Sequence, residues 1–316
     1  MKILPKTQPD RLKDFFGVLT YSLLLCALLS ASVGQVTSPR AASAETEIQP
    51  TFTQWLREIR SQARQQGVSR ETLNEALDGL KPNPTILERS ENQAEFTIPF
   101  DKYRGYFLTP EMIEKGRAQI EENKELLQSL ENKYGVPRGI LVAVWGVESR
   151  YGTHPSDHDA LVALASLGYR HARKNQYFEN QLLQTLQMID DGQLSLPLRG
   201  SWAGALGQPQ FMPTSYQEYA VDFDGDGTRD IWESTPDILG SIANYLSKHG
   251  WHENSPWVQS GHSKQESDPN SRVLNPEGAN QSYRVYSNFD VLLRYNQSNF
   301  YALTVGILAN KLQEDS

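Results

Sequence analysis

The sequence contains a single cysteine and a single long apolar run, and the two coincide. Cys26 lies in the run from about residue 15 to residue 33, which follows four basic side chains near the N-terminus. Ala42 and Ala44 then provide the small residues that signal peptidase prefers. This pattern predicts a signal peptide over residues 1–44, cleaved near Ala44, and an exported protein; a retained membrane anchor is the alternative.

Removal of this segment leaves no cysteine in residues 45–316. Disulfides are therefore excluded from the exported protein, whose stability must come from core packing. Leu24 and Leu25 precede Cys26, where a lipoprotein signal prefers a small residue. A lipid anchor on this cysteine is therefore not expected.

The sequence also has no excess of basic residues. Residues 1–44 contain five of the 30 lysines and arginines and two of the 38 aspartates and glutamates. The rest of the chain therefore has 25 basic against 36 acidic side chains, a formal charge of about -11. This balance argues against a nucleic-acid partner, because the phosphate backbone attracts basic surfaces.

Strand patterns are scarce after residue 45, and helical patterns predominate. Trp55, Ile59 and Ala63 recur four residues apart, which predicts an amphipathic helix. Ser69 is a candidate N-cap for the helix that follows. The stretch SYRVYSNFDVLLRYN, residues 282–296, is rich in β-branched and aromatic residues and predicts two short strands.

A long helix is predicted from Thr109 to about Tyr134, because Thr109 fits an N-cap and the following proline fits the first helical position. Gly135 is expected to end it. The next helix, from about Pro137 to Ser149, is apolar on all sides, which predicts a buried helix. Further helices are predicted over 159–167, 175–190, 213–220, 236–249 and 298–312.

Glu148 lies at the end of this buried helix, in the stretch LVAVWGVESRYG. A carboxylate removed from water needs a close donor or a proton of its own. One interpretation is a helix end near the surface, where Glu148 pairs with Arg150. The other is a carboxylic acid that stays protonated near neutral pH, as the general acid of a glycosidase does.

The segment DFDGDGTRDIWE, residues 222–233, matches the calcium-binding loop of EF-hand proteins. Three carboxylates alternate along it, a glycine allows the sharp turn, and a backbone carbonyl and a final carboxylate complete the shell. The next helix begins late, so that a second carboxylate competes with Glu233 for the closing position. The candidate ligands are Asp222, Asp224, Asp226, Thr228, Glu233 and Asp237. We therefore predict one structural Ca²⁺; an acidic, solvated turn is the alternative.

In the segment from Gly200 to Phe223, small residues alternate with Trp202, Gln208, Gln210 and Phe211. Rings and amide groups on a closely approaching backbone suit a sugar, because rings stack on it and amides bind its hydroxyl and acetamido groups. Tight packing of a helix connection is the structural alternative.

Four ordered motifs, GVESRYG, GSWAGALGQPQFMPTSYQEYAVDFDGDGTRDIW, SIANYLSKHGW and RYNQSNFYALTV, resemble the membrane-bound lytic murein transglycosylase B family. The resemblance runs from about residue 50 to residue 312. It implies a mainly α (α+β) fold with a lysozyme-like helical core, and a periplasmic enzyme without an organic cofactor. It also implies a monomer whose partners are peptidoglycan glycan strands and other cell-wall enzymes.

The implied reaction is cleavage of the β-1,4 bond between N-acetylmuramic acid and N-acetylglucosamine, with formation of a 1,6-anhydromuramoyl end. Glu148 matches the catalytic glutamate of the family, which would protonate the glycosidic oxygen and then accept the proton of the sugar's C6 hydroxyl. Lys174 stands where the family often has a second arginine. By the same resemblance, the substrate-contacting positions are Tyr103, Arg173 and Tyr245, and the positions that line the groove are Ser201, Gln210 and Phe211. The C-terminal motif that faces the glutamate, and also contacts substrate, contains Tyr295, Asn296 and Tyr301.

The predicted organisation has five parts. They are a signal peptide over 1–44, an N-terminal helical segment over 45–108, a lysozyme-like catalytic core with the calcium loop over 109–250, a small strand-rich segment over 251–294, and a C-terminal helix over 295–316 that packs on the core.

Three other functions compete with this one. A lysozyme-type hydrolase would use water and a second carboxylate, for which Asp157 and Asp159 are the candidates. A non-catalytic peptidoglycan-binding protein would keep the groove but would not need Glu148. A calcium sensor would pair two loops over a methionine-rich surface, whereas the chain has one loop and four methionines.

Overall fold

The structure, a computed structural model, describes residues 50–91, 98–154, 156–170, 175–261 and 269–314. The predicted signal peptide and Arg173 lie outside these ranges. Within them the chain forms thirteen α-helices and five short β-strands. The prediction of a mainly α (α+β) fold is therefore confirmed. None of these described helices is both long enough and apolar enough to cross a membrane.

The helices, in chain order, are α1 (Phe52–Gln65), α2 (Arg70–Leu77), α3 (Pro84–Glu91), α4 (Phe100–Gly105), α5 (Pro110–Glu122), α6 (Lys124–Tyr134), α7 (Arg138–Ser149), α8 (Ala160–Arg170), α9 (Asn175–Asp190), α10 (Pro213–Tyr219), α11 (Thr235–Lys248), α12 (Ser287–Tyr295) and α13 (Asn299–Gln313). The strands are β1 (His158–Asp159), β2 (Arg199–Gly200), β3 (Val258–Ser260), β4 (Arg272–Leu274) and β5 (Tyr283–Val285).

The first two helices begin where their capping residues predict. Thr51 and Gln54 form a capping box at the start of α1, in which each side chain binds the backbone amide of the other residue. The predicted apolar face of α1, Trp55, Ile59 and Ala63, is buried. The Ser69 side chain accepts a hydrogen bond from the Thr72 amide and caps α2, as predicted.

The prediction of one continuous helix from Thr109 to Tyr134 is wrong, because Asn123 divides it into α5 and α6. Asn123 has φ -109° and ψ 24°, outside the helical region. Its side-chain amide donates to the Gln119 carbonyl at 2.9 Å, a local bond that competes with the regular helical pattern. The predicted cap at Thr109 and the left-handed glycine at Gly135 are both confirmed.

Helix α7 lies at the centre of the molecule, with every residue from Gly139 to Ser149 buried. It packs against α13, α11 and α5. The prediction of a buried helix that contains Glu148 in its last turn is therefore confirmed.

Buried side chains form two clusters. The first, the central core, surrounds α7 and includes residues of α5, α6, α11, α12 and α13. The second, the N-terminal core, is formed mainly by α1, α2, α8 and α9. A hydrogen bond of 2.6 Å from the Trp55 indole to the Glu179 carboxylate joins α1 to α9.

The strands form two small antiparallel sheets. Strands β1 and β2 pair at the start of α8, and β3, β5 and β4 form a three-stranded sheet in that order. The prediction of two strands within SYRVYSNFDVLLRYN is only half right, since Tyr283–Val285 is a strand but Ser287–Tyr295 is a helix. Burial of Phe289 and Leu292, three residues apart on one helical face, explains why tertiary packing favours the helix here.

Candidate active site

Glu148 is an almost fully buried carboxyl group, with 7% of the residue exposed. Its Oε1 atom accepts a hydrogen bond of 2.7 Å from the Tyr301 hydroxyl. Burial raises the pKa of Glu148 to about 8, and this effect exceeds the opposing effect of the Tyr301 hydrogen bond. The carboxyl group therefore keeps its proton at neutral pH.

The alternative of a surface ion pair with Arg150 does not describe this site. A guanidinium nitrogen of Arg150 donates to the Tyr106 carbonyl at 3.1 Å, and burial lowers the Arg150 pKa. Within the described residues, Tyr301 is the hydrogen-bond partner of Glu148 and binds its Oε1 atom, which leaves the Glu148 Oε2 atom without a protein partner. That oxygen is therefore available to bind and protonate a ligand.

The start of α13 places Tyr301 beside Glu148. The Ser298 side chain accepts a hydrogen bond from the Tyr301 amide, so the helix begins just before this tyrosine. Tyr301 is fully buried, and its ring stacks on Tyr295 at 6.4 Å with 15° between the planes. Burial raises the pKa of both tyrosines well above 10, with a further contribution from the Glu148 charge. Both hydroxyl groups therefore remain neutral donors.

Further aromatic rings pack on Tyr295. Phe211 contacts Tyr245 at 5.6 Å and Tyr295 at 5.8 Å between ring centroids, and Tyr245 and Tyr295 are 4.7 Å apart. The Tyr295 hydroxyl donates to the Pro209 carbonyl, and the Tyr245 hydroxyl to the Arg294 carbonyl, both at 2.8 Å. These bonds fix the positions of the Tyr245 and Tyr295 rings in this cluster.

Two further rings of this cluster were not predicted as site residues. His249 stacks on Tyr245 at 4.1 Å with 22° between the planes, and Tyr219 contacts both rings, at 5.0 and 4.7 Å. His249 follows Tyr245 by four residues at the end of α11, so helical spacing places both rings on one face. That spacing was the available signal for His249.

The glycine-rich segment folds back on itself beside α7. The Ser201 hydroxyl accepts hydrogen bonds from the amides of Ala203 and Ala205, at 3.3 and 3.0 Å. The Gln208 side chain accepts from the Trp145 indole and donates to the Trp232 carbonyl, each at 2.6 Å. Ser201 and Gln208 therefore hold the segment in shape.

Gln210 adopts a left-handed backbone conformation with φ 56°, which is unusual for a residue other than glycine. Its side-chain nitrogen donates to the Ser156 hydroxyl at 3.1 Å and to the Gly207 carbonyl at 2.6 Å. Such strained residues concentrate at functional sites. Trp202, in contrast, is buried in the N-terminal core and does not face a groove.

Tyr103 and Asn296 are both buried. The Tyr103 ring packs between Phe107 and Phe300, at 5.5 and 5.7 Å. Asn296 is 2% exposed, and neither polar atom of its side chain has a hydrogen-bond partner within the described residues. A buried amide without partners is costly, so this side chain fits a position that a polar ligand completes.

The acidic loop brings three carboxylates together. Ligand oxygens of Asp222, Asp224 and Asp237 lie within 4.8 Å of one another. Asp237 is fully buried, and its oxygens accept the amides of Phe223 and Asp230, both at 2.7 Å. Three carboxylates at this separation repel one another, and an oxygen-only set of this kind fits a hard cation such as Ca²⁺.

The other predicted ligands have different contacts. The Asp226 carboxylate accepts a hydrogen bond of 2.7 Å from the Thr228 amide. The exposed Glu233 carboxylate pairs with Arg199 at 3.0 Å. Of the two candidates for the closing position, Asp237 is therefore the one that joins Asp222 and Asp224.

Comparison with known proteins places this geometry in a family. Residues 51–268 and 258–310 match the family model described as "Transglycosylase SLT domain". Membrane-bound lytic murein transglycosylase B of Escherichia coli (strain K12) is 38% identical over 195 residues, which cover 58% of this chain and 54% of the relative. The chain therefore spans about half the length of this curated relative.

Two solved structures extend the comparison to most of the chain. SltB3 from Pseudomonas aeruginosa, in complex with NAG-NAM-pentapeptide, has a TM-score of 0.78 at 34% identity, covering 84% of this chain and 80% of the other. The lytic transglycosylase Slt35 of Escherichia coli, in complex with calcium, has a TM-score of 0.70 at 30% identity, covering 83% and 92%.

The mainly helical fold and the buried glutamate among tyrosines lie within the residues that match this family model. The chain belongs to the transglycosylase SLT domain family. The predicted resemblance to the membrane-bound lytic murein transglycosylase B family is confirmed.

Proposed function

We propose that this protein is a periplasmic lytic transglycosylase that cleaves the bond between N-acetylmuramic acid and N-acetylglucosamine in peptidoglycan. The observation that carries the proposal is the protonated Glu148, buried and bound to Tyr301 through one oxygen only. Related solved structures support the substrate class, because SltB3 binds NAG-NAM-pentapeptide and also NAG-anhNAM-pentapeptide.

In the proposed reaction, Glu148 Oε2 gives its proton to the glycosidic oxygen as the bond from that oxygen to the anomeric carbon breaks. The C6 hydroxyl of the same muramoyl residue then attacks the anomeric carbon and closes a 1,6-anhydro ring. The ionised Glu148 accepts the hydroxyl proton, which restores the acid. Atoms balance without water, since the proton that leaves the enzyme returns to it.

The nearby protein groups favour this sequence of steps. Tyr301 donates to Glu148 Oε1, so it fixes the orientation of the acid and stabilises the carboxylate that forms after the first transfer. Tyr295 is half-buried and provides a ring against which a sugar can stack, with Phe211 and Tyr245 packed on it. Asn296, Gln210 and Ser201 are proposed as polar contacts to the sugar, together with Tyr103, and with Arg173 outside the described residues.

A hydrolase would need a second carboxylate that activates water on the other face of the sugar. Asp159, one of the two candidates, accepts hydrogen bonds from the amides of Leu161 and Val162, at 2.9 and 3.1 Å, and so caps α8. Its position at a helix start explains its presence without a catalytic role. The internal nucleophile of the transglycosylase reaction needs no such group.

We also propose that Asp222, Asp224 and Asp237 hold one structural Ca²⁺, with Asp226 and the Thr228 carbonyl as further candidate ligands. The ion would neutralise the acidic loop and fix it against the start of α11. The calcium complex of the related Slt35 supports this assignment.

Mass spectrometry of digested peptidoglycan tests the reaction type. The proposal predicts muropeptides that end in a 1,6-anhydro ring, lighter by one water than the products of a hydrolase. Digestion that yields only reducing ends would assign the protein to the hydrolases. No release of muropeptides, with intact binding to peptidoglycan, would favour a binding protein.

A further inference from the structure

A groove lined by four arginines lies between α1 and α2, and its volume is about 630 Å³. We call it the arginine groove and define it by Arg57, Arg60, Arg64 and Arg70. Helical spacing explains its position on α1, since residues 57, 60 and 64 recur at intervals of three and four. Arg57 and Arg64 are exposed and Arg60 is half-buried, whereas the core-facing residues of α1 are buried.

The arginine groove concentrates positive charge on a chain that is acidic overall. Residues 45–316 hold 25 basic against 36 acidic side chains, yet no carboxylate lines the groove in the part of the chain that the structure describes. Arg60 pairs with Asp78 and donates to the Asn74 side chain at 3.3 Å. Arg57, Arg64 and Arg70 have no ion-pair partner among the described residues.

The chemistry of the lining defines the ligand. A guanidinium group binds carboxylates and phosphates through two parallel hydrogen bonds. Ser61, Gln65 and Asn74 lie among the arginines and offer hydroxyl and amide groups that can bind a peptide backbone. Leu73 lies at the base of the groove and is only 2% exposed. The groove therefore suits an extended peptide that carries several carboxylates.

A lipid surface fits this groove less well. Proteins that bind membranes through basic residues usually present a broad face with exposed apolar side chains that enter the bilayer. The arginine groove is concave, and its apolar residue is buried. Its volume falls in the range of sites that enclose a discrete ligand, about 300–1,000 Å³.

The arginine groove is also separate from the candidate active site. Helices α1 and α2 pack on α9 as part of the N-terminal core, whereas Glu148 lies in the central core. A ligand in the groove would therefore not occupy the position of the scissile bond.

We propose that the arginine groove binds the carboxylate-bearing stem peptides of peptidoglycan, outside the catalytic centre. The inference rests on the proposed function for the identity of the polymer, and on the groove itself for the carboxylate chemistry. Binding at this second position holds the enzyme on a cross-linked wall while the glycan strand passes the active site.

Isothermal titration calorimetry with a free stem pentapeptide tests this proposal without any cleavage step. The groove variant combines Arg57→Gln, Arg64→Gln and Arg70→Gln, all on exposed side chains. The control variant makes the same change in charge at exposed lysines elsewhere, with Lys81→Gln, Lys124→Gln and Lys248→Gln. We expect saturable binding by the parent, a loss of about tenfold or more in the groove variant, and a change within about twofold in the control.

Added salt should weaken parent binding more than it weakens binding by the groove variant, because the variant has three fewer positive charges for the salt to screen. No saturable binding by the parent, or equal loss in both variants, would overturn the proposal. Arginine-dependent binding to phosphatidylglycerol vesicles, without binding of the pentapeptide, would overturn it in favour of a membrane contact. Competition by inorganic phosphate as strong as by the pentapeptide would reduce the site to a simple anion site and would also overturn it.

Digestion of glycan strands stripped of peptide separates this proposal from the proposed function. The parent and the groove variant should release anhydro products from these strands at equal rates. Pentapeptide binding without any anhydro product would contradict the transglycosylase function but leave the groove assignment standing. Anhydro products without pentapeptide binding would overturn the groove assignment but leave the transglycosylase function standing.

Discussion

The Tyr301 hydroxyl donates a hydrogen bond of 2.7 Å to Glu148 Oε1 and thereby joins α13 to α7. The two residues are 153 positions apart in the chain, so this contact exists only when the C-terminal helix packs on the central one. Both side chains are almost fully buried. The acid is therefore both oriented and kept protonated by the same packing.

Tyr301→Phe should keep the fold and lower the rate of glycosidic cleavage by about tenfold to a hundredfold. A hydrogen bond to a charged group contributes about 1.5–3 kcal/mol, and here the charge develops during the reaction. Initial rates on peptidoglycan check this. Tyr286→Phe is the matched control, since its hydroxyl donates to the Gln259 side chain at 2.7 Å in the small sheet. An equal loss of cleavage rate in both variants would contradict a catalytic contribution from the Tyr301 hydroxyl.

The raised pKa of Glu148 predicts how activity depends on pH. The free enzyme needs the protonated acid, so kcat/KM should be constant below the pKa and fall above about pH 8. Rate measurements between about pH 5 and pH 10 locate the falling limb. A limb near the ordinary glutamate value of 4.5 would show that the carboxyl is ionised at rest and would contradict the acid role.

The same pKa predicts how stability depends on pH. The pKa of Glu148 is about 8 in the folded state and 4.5 in the unfolded state. The protonated side chain therefore makes its full contribution to the free energy of unfolding below pH 4.5. This contribution is lost as pH rises from 4.5 to about 8. Glu148→Gln cannot titrate, so its stability relative to the parent should increase across that range, by an amount on the order of a few kcal/mol. Denaturant unfolding of both proteins near pH 4.5 and near pH 8 measures this change. The same difference in stability between the two proteins at both pH values would contradict the prediction.

Calcium should raise the melting temperature of the parent. Saturation at a hundredfold excess over the dissociation constant corresponds to roughly 2.7 kcal/mol. Asp224→Asn should abolish the calcium effect, and so should Asp237→Asn, whereas Glu233→Gln should leave it unchanged, because Glu233 pairs with Arg199. Melting curves with calcium and with chelator give the comparison. If only Glu233→Gln abolished the calcium-dependent rise in melting temperature, Glu233 and not Asp237 would be the carboxylate that completes the calcium site.

Gln208→Leu should lower the free energy of unfolding by about 2 kcal/mol, since it leaves the Trp145 indole and the Trp232 carbonyl without their partner. Gln62→Leu, at an exposed position of α1, serves as the control. Equal stability of the two variants would show that this bridge does not hold the glycine-rich segment on α7.

Much of the fold was predictable because local signals and packing agree. The face of α1, the cap at Ser69, the start of α5 and the burial of α7 all follow from spacing and capping chemistry. The break at Asn123 and the helix α12 were not predicted, since a side-chain contact decides the first and burial of one face decides the second.

The site shows the same division. The motifs pointed to Glu148 and to Phe211, Tyr245, Tyr295 and Tyr301, because these positions are read from residue type and order. The resemblance implied that the motif with Tyr301 faces Glu148, but the hydrogen bond between them depends on how distant helices meet. The position of His249 beside Tyr245 and the choice of Asp237 over Glu233 depend on the same packing. No spacing along the chain contains that information.

The central claim is that Glu148 supplies and recovers the proton in the formation of anhydro ends. Its most direct test is mass spectrometry of peptidoglycan digested by Glu148→Gln, with the exposed Glu125→Gln as the matched control. The account predicts that Glu125→Gln releases anhydro muropeptides at the parent rate. Glu148→Gln should bind peptidoglycan but release them at least about 10²-fold more slowly. Anhydro products from Glu148→Gln within a few fold of the parent rate would contradict the account.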